Sequence, residues 1–153
     1  MRKAAALLFV APFLLAGCAQ ADPGDGGGAG SAGEAPVVLD SRRGVPKGMR
    51  PAAKMAEPVA AILAPDRLAL ATWGSSTCPS LPVRAKVTRP DTLRVDVRMD
   101  AGKGQVCTMD LGPTTTRIGV DPALTEDGAV QLLVEFGKGR QDVRLTARPV
   151  ARG

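Results

Sequence analysis

A small, mostly β domain is the fold this sequence predicts, either an antiparallel β-sandwich or an open barrel with one disulfide. Three observations carry that expectation. Apolar and charged residues alternate over short runs, most clearly Leu93, Val95, Val97 and Met99 against Arg94, Asp96 and Arg98. A period of two puts one set on each face of a strand. Turn-forming clusters separate the runs: Arg89-Pro90-Asp91, Ala101-Gly102-Lys103-Gly104, Glu126-Asp127-Gly128 and Gly137-Lys138-Gly139. Glycine tolerates positive φ and proline presets φ, so these clusters mark chain reversals. No long helix is legible, because Pro51 and Pro58 cut the best candidate, Ala52–Ala64.

Taken in order, the strands are expected near Ala60–Leu63, Arg67–Trp73, Pro82–Thr88, Thr92–Met99, Val106–Leu111, Thr115–Val120, Ala129–Phe136 and Asp142–Ala147. Val83, Ala85 and Val87 alternate with polar neighbours, and so do Val143, Leu145 and Ala147. Val130, Leu132, Val134 and Phe136 repeat the pattern, with Leu133 apolar on the other face. Several short strands at this spacing suit one small domain.

Four segments result. Residues 1–17 are expected to be a lipoprotein signal peptide, 18–36 a lipidated cysteine with a Gly-rich disordered tether, 37–58 a Pro-rich basic arm, and 59–150 the β domain. Arg2 and Lys3 precede a short apolar run that ends in Leu15-Ala16-Gly17-Cys18. The run is too short to span a hydrocarbon core, which takes about 20 apolar residues. Its basic-then-apolar form is that of a signal peptide, and its end resembles a bacterial lipobox, cut before the cysteine. Cys18 would carry a diacylglyceryl group and an amide-linked acyl chain such as palmitate, and two or more chains anchor stably. The tether is glycine-rich and acidic through Asp22, Asp25 and Glu34. It cannot bury enough surface to offset its ordering entropy, and as a coil it spans about 25 Å.

The arm opens on Val37-Val38-Leu39, which could form a short strand. It then holds Arg42, Arg43, Lys47, Arg50 and Lys54 among glycines and prolines. These charges follow neither helical nor strand spacing, which favours a solvated arm over a lipid- or polymer-binding patch.

Composition excludes more than it includes. The chain has 153 residues, a formal charge of +5, three cysteines, one tryptophan and no histidine or tyrosine. Without histidine, Ser75, Ser76 and Thr77 lack the usual base of a nucleophilic triad. A Ser–Lys pair with Lys86 or Lys103 has no supporting spacing. No cofactor or metal is expected. Asp121, Glu126 and Asp127 do not match a calcium loop, and Gly102-Lys103-Gly104 does not match a phosphate loop. The mild charge and scarce aromatics give no platform for nucleic acid. Parity assigns the cysteines. Lipidation takes Cys18, and Cys78 and Cys107 can then pair, as an oxidising compartment favours; two buried thiols are the alternative.

The densest local signature is Trp73-Gly74-Ser75-Ser76-Thr77-Cys78-Pro79, followed later by Cys107-Thr108-Met109-Asp110-Leu111-Gly112-Pro113-Thr114-Thr115. Together they resemble a group of small exported proteins and lipoproteins of actinobacteria. That group carries a Trp-Gly-Ser-Ser-x-Cys-Pro element and a later Cys-Thr-x-Asp-Leu-x-Pro-Thr-Thr element. The resemblance covers residues 66–120, and more loosely the strands to 147. It implies a Cys78–Cys107 disulfide and no particular activity.

Trp73 is expected to pack near that disulfide. The hydroxyls of Ser75, Ser76 and Thr77 either satisfy loop backbone groups or contact a ligand. Asp110 is expected to accept hydrogen bonds from Thr114, Thr115 or loop amides. A surface face of Arg84, Lys86, Arg94, Arg98 and Arg117 is the first candidate contact region, since arginines hold carboxylates and phosphates.

The function expected from these observations is that of a non-enzymatic binding domain. It is anchored by lipid on Cys18, faces outward from the cell membrane, and contacts an envelope protein, a wall polymer or a small ligand. Two alternatives remain at this level. One is a hydrolase acting through carboxylates such as Asp96 and Asp110, with one raised pKa. The other is an accessory subunit of an envelope complex, with a contiguous exposed apolar patch.

Overall fold

Eight strands form one nearly closed, barrel-like sheet in the order β1-β6-β3-β2-β8-β7-β5-β4. They are β1 (Val37–Arg43), β2 (Val59–Ala64), β3 (Arg67–Gly74), β4 (Ser80–Arg89), β5 (Thr92–Met99), β6 (Gly112–Gly119), β7 (Val130–Phe136) and β8 (Val143–Pro149). A 3₁₀ turn, Pro122–Thr125, joins β6 to β7. The computed structural model describes residues 35–49, 56–137 and 139–151. The expected signal peptide, the lipidation site Cys18, the tether up to residue 34 and the middle of the basic arm lie outside the described residues.

The open barrel is the form the β pattern takes, with two corrections to the expected pairing. β2–β8 and β5–β7 are parallel, and the other pairings are antiparallel. The β2–β8 joint is brief, pairing Ala61 with Arg148 and Ile62 with Pro149. The second correction is that no strand forms over Val106–Leu111. β5 and β6 are not neighbours, so residues 100–111 cross one end of the barrel as a loop, and Val106, Met109 and Leu111 are exposed on it.

Period-two alternation builds two cores. Inside the barrel, Leu68 and Leu70 of β3 meet Ile62, Leu93, Val95, Ile118, Val130, Leu132 and Val134, nearly all fully buried. Burying one such side chain contributes about 1.5–3 kcal/mol. The opposite faces of β2 and β3 present Ala61, Ala69 and Ala71, which pack with Met49, Val45, Leu63 and Trp73 in a second cluster. Small side chains there leave room for a covering layer of chain. That layer is the segment after β1, so the arm is not simply solvated. Val37–Arg43 is itself a strand paired with β6, and the β fold starts at Val37 rather than at residue 59.

β1 and β4 are the two ends of the strand order and approach each other without a shared ladder. Arg43 of β1 donates to the carbonyl of Ser76, in the loop that leads into β4, at 2.8 Å. Val83, expected to alternate in phase with Ala85 and Val87, is an unpaired bulge residue between Pro82 and Arg84, and it is exposed. Bulges and cations such as Arg84 and Lys86 blunt an edge strand against stray pairing.

The register fixes two ends. Val37, Gly119 and Arg67 lie at one, where the described chain enters; Gly74, Gly112, Ser80, Met99 and Phe136 lie at the other. The second end is the mouth. The loops 75–79 and 100–111 gather there, with residues 137 and 139–142 beside them.

Candidate functional site

Two loops cross the mouth because β3–β4 and β5–β6 are sequential but not adjacent. Gly74 starts the first crossing. A Cβ there would lie 2.5 Å from the Ser80 backbone nitrogen, so only glycine fits. The Cys78–Cys107 disulfide joins the loops, with Cα atoms 5.4 Å apart, and Cys78 is buried.

Hydroxyls complete the tie. Ser75 Oγ accepts from the Thr77 and Cys78 backbone amides at 3.2 Å each and lies 2.9 Å from Thr108 Oγ1. Thr77 Oγ1 accepts from the Thr108 amide at 2.9 Å and donates to the Val106 carbonyl at 3.3 Å. Asp110 accepts from Thr108 Oγ1 and, at 3.2 Å, from the Ser76 amide. These bonds hold its carboxyl well below the usual range, at about 2, the hydroxyl of Thr108 contributing most. The expectation for Asp110 therefore holds for a loop amide but not for Thr115, whose hydroxyl instead donates to the Gly44 carbonyl at 2.6 Å. Ser75, Ser76 and Thr77 are engaged with the opposite loop.

Below the loops the barrel interior becomes polar. Thr72 Oγ1 donates to the Ser80 carbonyl, and Thr116 Oγ1 lies 2.7 Å from Ser41 Oγ. Beside them opens a cleft of about 900 Å³, lined by Trp73, Phe136, Met99, Leu111, Arg98 and Arg140 among others. Trp73 and Cys78 share this cleft, while the apolar packing of the indole belongs to the outer alanine cluster. Arg140 Nη1 donates to Ser80 Oγ at 3.2 Å, and its guanidinium carbon stands 4.0 Å above the Phe136 ring. A second recess, of about 710 Å³, at the opposite end is lined by Leu63, Pro65, Pro122 and Pro149 and carries one charged group, Glu126.

The expected cationic face is divided. Arg84, Lys86, Arg94 and Arg98 lie on neighbouring β4 and β5. Arg117 lies on β6, with β1 between it and the β4 edge, and binds Asp40 through Nε and Nη2 at 2.5 and 2.7 Å. That hydrogen-bonded pair lowers the Asp40 pKa and raises that of Arg117. Arg94 donates to Glu135 and lies 3.8 Å from Asp96. Arg84, Lys86 and Arg98 make no ion pair among the described residues.

Arg140, Phe136 and Ser80 were not legible as site residues. Arg140 follows Gly137-Lys138-Gly139, a cluster that signals only a turn, and its meeting with Phe136 depends on how that turn closes, through a 3.4 Å bond from the Arg140 amide to the Gly137 carbonyl. Among the described residues, no three Cys, Asp or Glu side chains group closely enough to hold a metal ion.

No family model matches this chain, and no curated protein or solved structure is detectably similar to it.

Proposed function

We propose that this chain is a non-enzymatic binding domain, anchored to the outer face of the cell membrane by lipid on Cys18, whose contact site is the barrel mouth. The observation that carries the reading is the cross-tied loop pair. Two loops with little apolar burial of their own are fixed by a disulfide and a hydroxyl network beside an open, partly aromatic cleft. Rigid loops on a β scaffold are a common way to present a binding surface. A disulfide also suits an exported domain. Among the described residues, the carboxyls with shifted pKa, Asp40 and Asp110, are both lowered, whereas a catalytic general acid needs a raised one. The resemblance to exported actinobacterial lipoproteins bears on the export and the anchor and carries no activity.

One observation favours the accessory-subunit variant of this reading. Val106 and Met109 on the mouth loop are 84% and 102% exposed, with Met99 and Leu111 also exposed on the flanks of that loop. Exposed apolar residues gathered on one loop suit contact with a protein partner.

In-cell cross-linking of the full, anchored chain tests the proposal. One reproducible partner is expected, lost with Val106→Ser plus Met109→Ser if that partner is a protein. An anchored chain whose cross-links ignore every mouth substitution would remove the mouth from consideration. Cys18→Ala is expected to release the protein from membranes or block its processing. Normal processing with full membrane retention would overturn the anchor.

A further inference from the structure

Two arginines that line the mouth cleft, Arg98 and Arg140, make no ion pair with a carboxylate among the described residues. We propose that the cleft is an oxyanion site, taking a small carboxylate- or phosphate-bearing ligand whose remaining body is apolar. The inference rests on reading the mouth as the contact site and names the chemistry of what it holds.

Arg140 carries most of the argument. Its planar fork offers five N–H donors, and one is used on Ser80 Oγ. Ser80 is buried and its carbonyl is fixed by Thr72, so the bond rests on a rigid wall. The Phe136 ring, with its centroid 4.0 Å from Arg140 Cζ, attracts the guanidinium without using any of its N–H donors on an acceptor atom. A pre-oriented fork with spare donors matches the geometry of a carboxylate or phosphate better than a flexible ammonium does.

The acids of the cleft do not cancel this charge. Asp96 and Glu135 also line it, and both are engaged with Arg94. The rest of the wall defines the body of the ligand. Phe136, Trp73, Met99 and Leu111 offer apolar surface, and about 900 Å³ falls in the range that holds small ligands.

Trp73 is the only tryptophan and there is no tyrosine, so intrinsic fluorescence reports this cleft directly. The experiment titrates the full chain carrying Cys18→Ala with octanoate and octyl phosphate below their micelle range. Octanol, acetate and inorganic phosphate serve as the neutral and body-less comparisons. A saturable Trp73 response is expected for the two octyl anions, weakened by salt and weakened at least tenfold by Arg140→Ala and by Arg98→Ala. Arg140→Lys is expected to fall between, because it keeps the charge and loses the fork. Arg89→Ala, at the end of β4 away from the mouth, is expected to bind as the parent does.

Octanol binding as tightly as octanoate, or Kd unchanged in both arginine variants, overturns the oxyanion assignment while leaving the mouth a binding site. Inorganic phosphate binding as tightly as octyl phosphate overturns the apolar body. No saturable response to any probe overturns the inference; cross-links that also ignore the mouth substitutions overturn the reading beneath it.

Discussion

At the end where β1 begins, Val120 and Leu124 turn into the apolar core. Backbone bonds finish the closure there, from the Val120 amide to the Asp66 carbonyl at 3.0 Å and from the Gln131 amide to the Asp91 carbonyl at 2.8 Å. Thr125 Oγ1 donates to the Pro65 carbonyl as well. At the mouth, the loop 100–111 is exposed along its length, and what holds it is one covalent bond with a set of hydroxyl contacts. One end is stabilised by packing and the other by cross-linking. A surface that must stay open to a partner cannot be stiffened by burying it, whereas a disulfide constrains the loops and leaves their outer atoms in water.

The largest break in this contrast comes from removing the cross-link. Cys78→Ser with Cys107→Ser is expected to lower the unfolding free energy by about 3–4 kcal/mol, from the entropy of the loop it closes. Urea unfolding with and without reductant measures it. The strand signal is expected to survive in native buffer, because the inner core does not depend on the mouth loops. A loss below about 1 kcal/mol would assign the clamping of the mouth to the hydroxyls.

A smaller effect is expected at the packed end. Leu124→Ala removes a buried side chain from a short turn that can partly collapse, so about 2–3 kcal/mol should be lost. The Trp73 response to octanoate is expected to stay unchanged, since the substitution lies at the far end of the barrel. A weakened response would show that the two ends are mechanically coupled.

How legible each end was in the sequence follows from the same contrast. The strands around the inner core announce themselves by alternation, and β5 matches its expected bounds, Thr92–Met99. Parity and the two cysteine motifs anticipated the disulfide. Alternation misled at Val106–Leu111, where apolar residues stand in a loop that topology forces across the mouth. It also misled at Val83, where a bulge shifts the register. Long-range closure was invisible: nothing local says that β2 meets β8 in parallel, or that Val45 and Met49 cover the alanines of β2 and β3. The arginine face failed for a related reason. Sequence shows which strands carry arginines, but not that Arg117 meets Asp40 or that Arg140 lies over the Phe136 ring.

The smallest effect sharpens the contrast by separating hydroxyl clamping from the covalent clamp. In the folded chain the Asp110 carboxyl is held at about 2, against 3.8 for an unperturbed carboxyl, chiefly by Thr108 and Ser76. A lowered folded-state pKa stabilises where the group is ionised in both states, so the contribution is complete above pH 3.8 and is lost as the pH falls from there toward about 2. Asp110→Asn cannot titrate. It is expected to be less stable than the parent at neutral pH, with the gap closing through that acid window as the parent carboxylate protonates. Urea unfolding of both proteins across the window reads the difference, and Asp40, lowered by Arg117 in both, drops out of the subtraction. A gap that stays constant from neutral pH down to pH about 2 would mean that Asp110 is not held as a carboxylate, and the mouth would then rest on its disulfide and the remaining hydroxyl contacts.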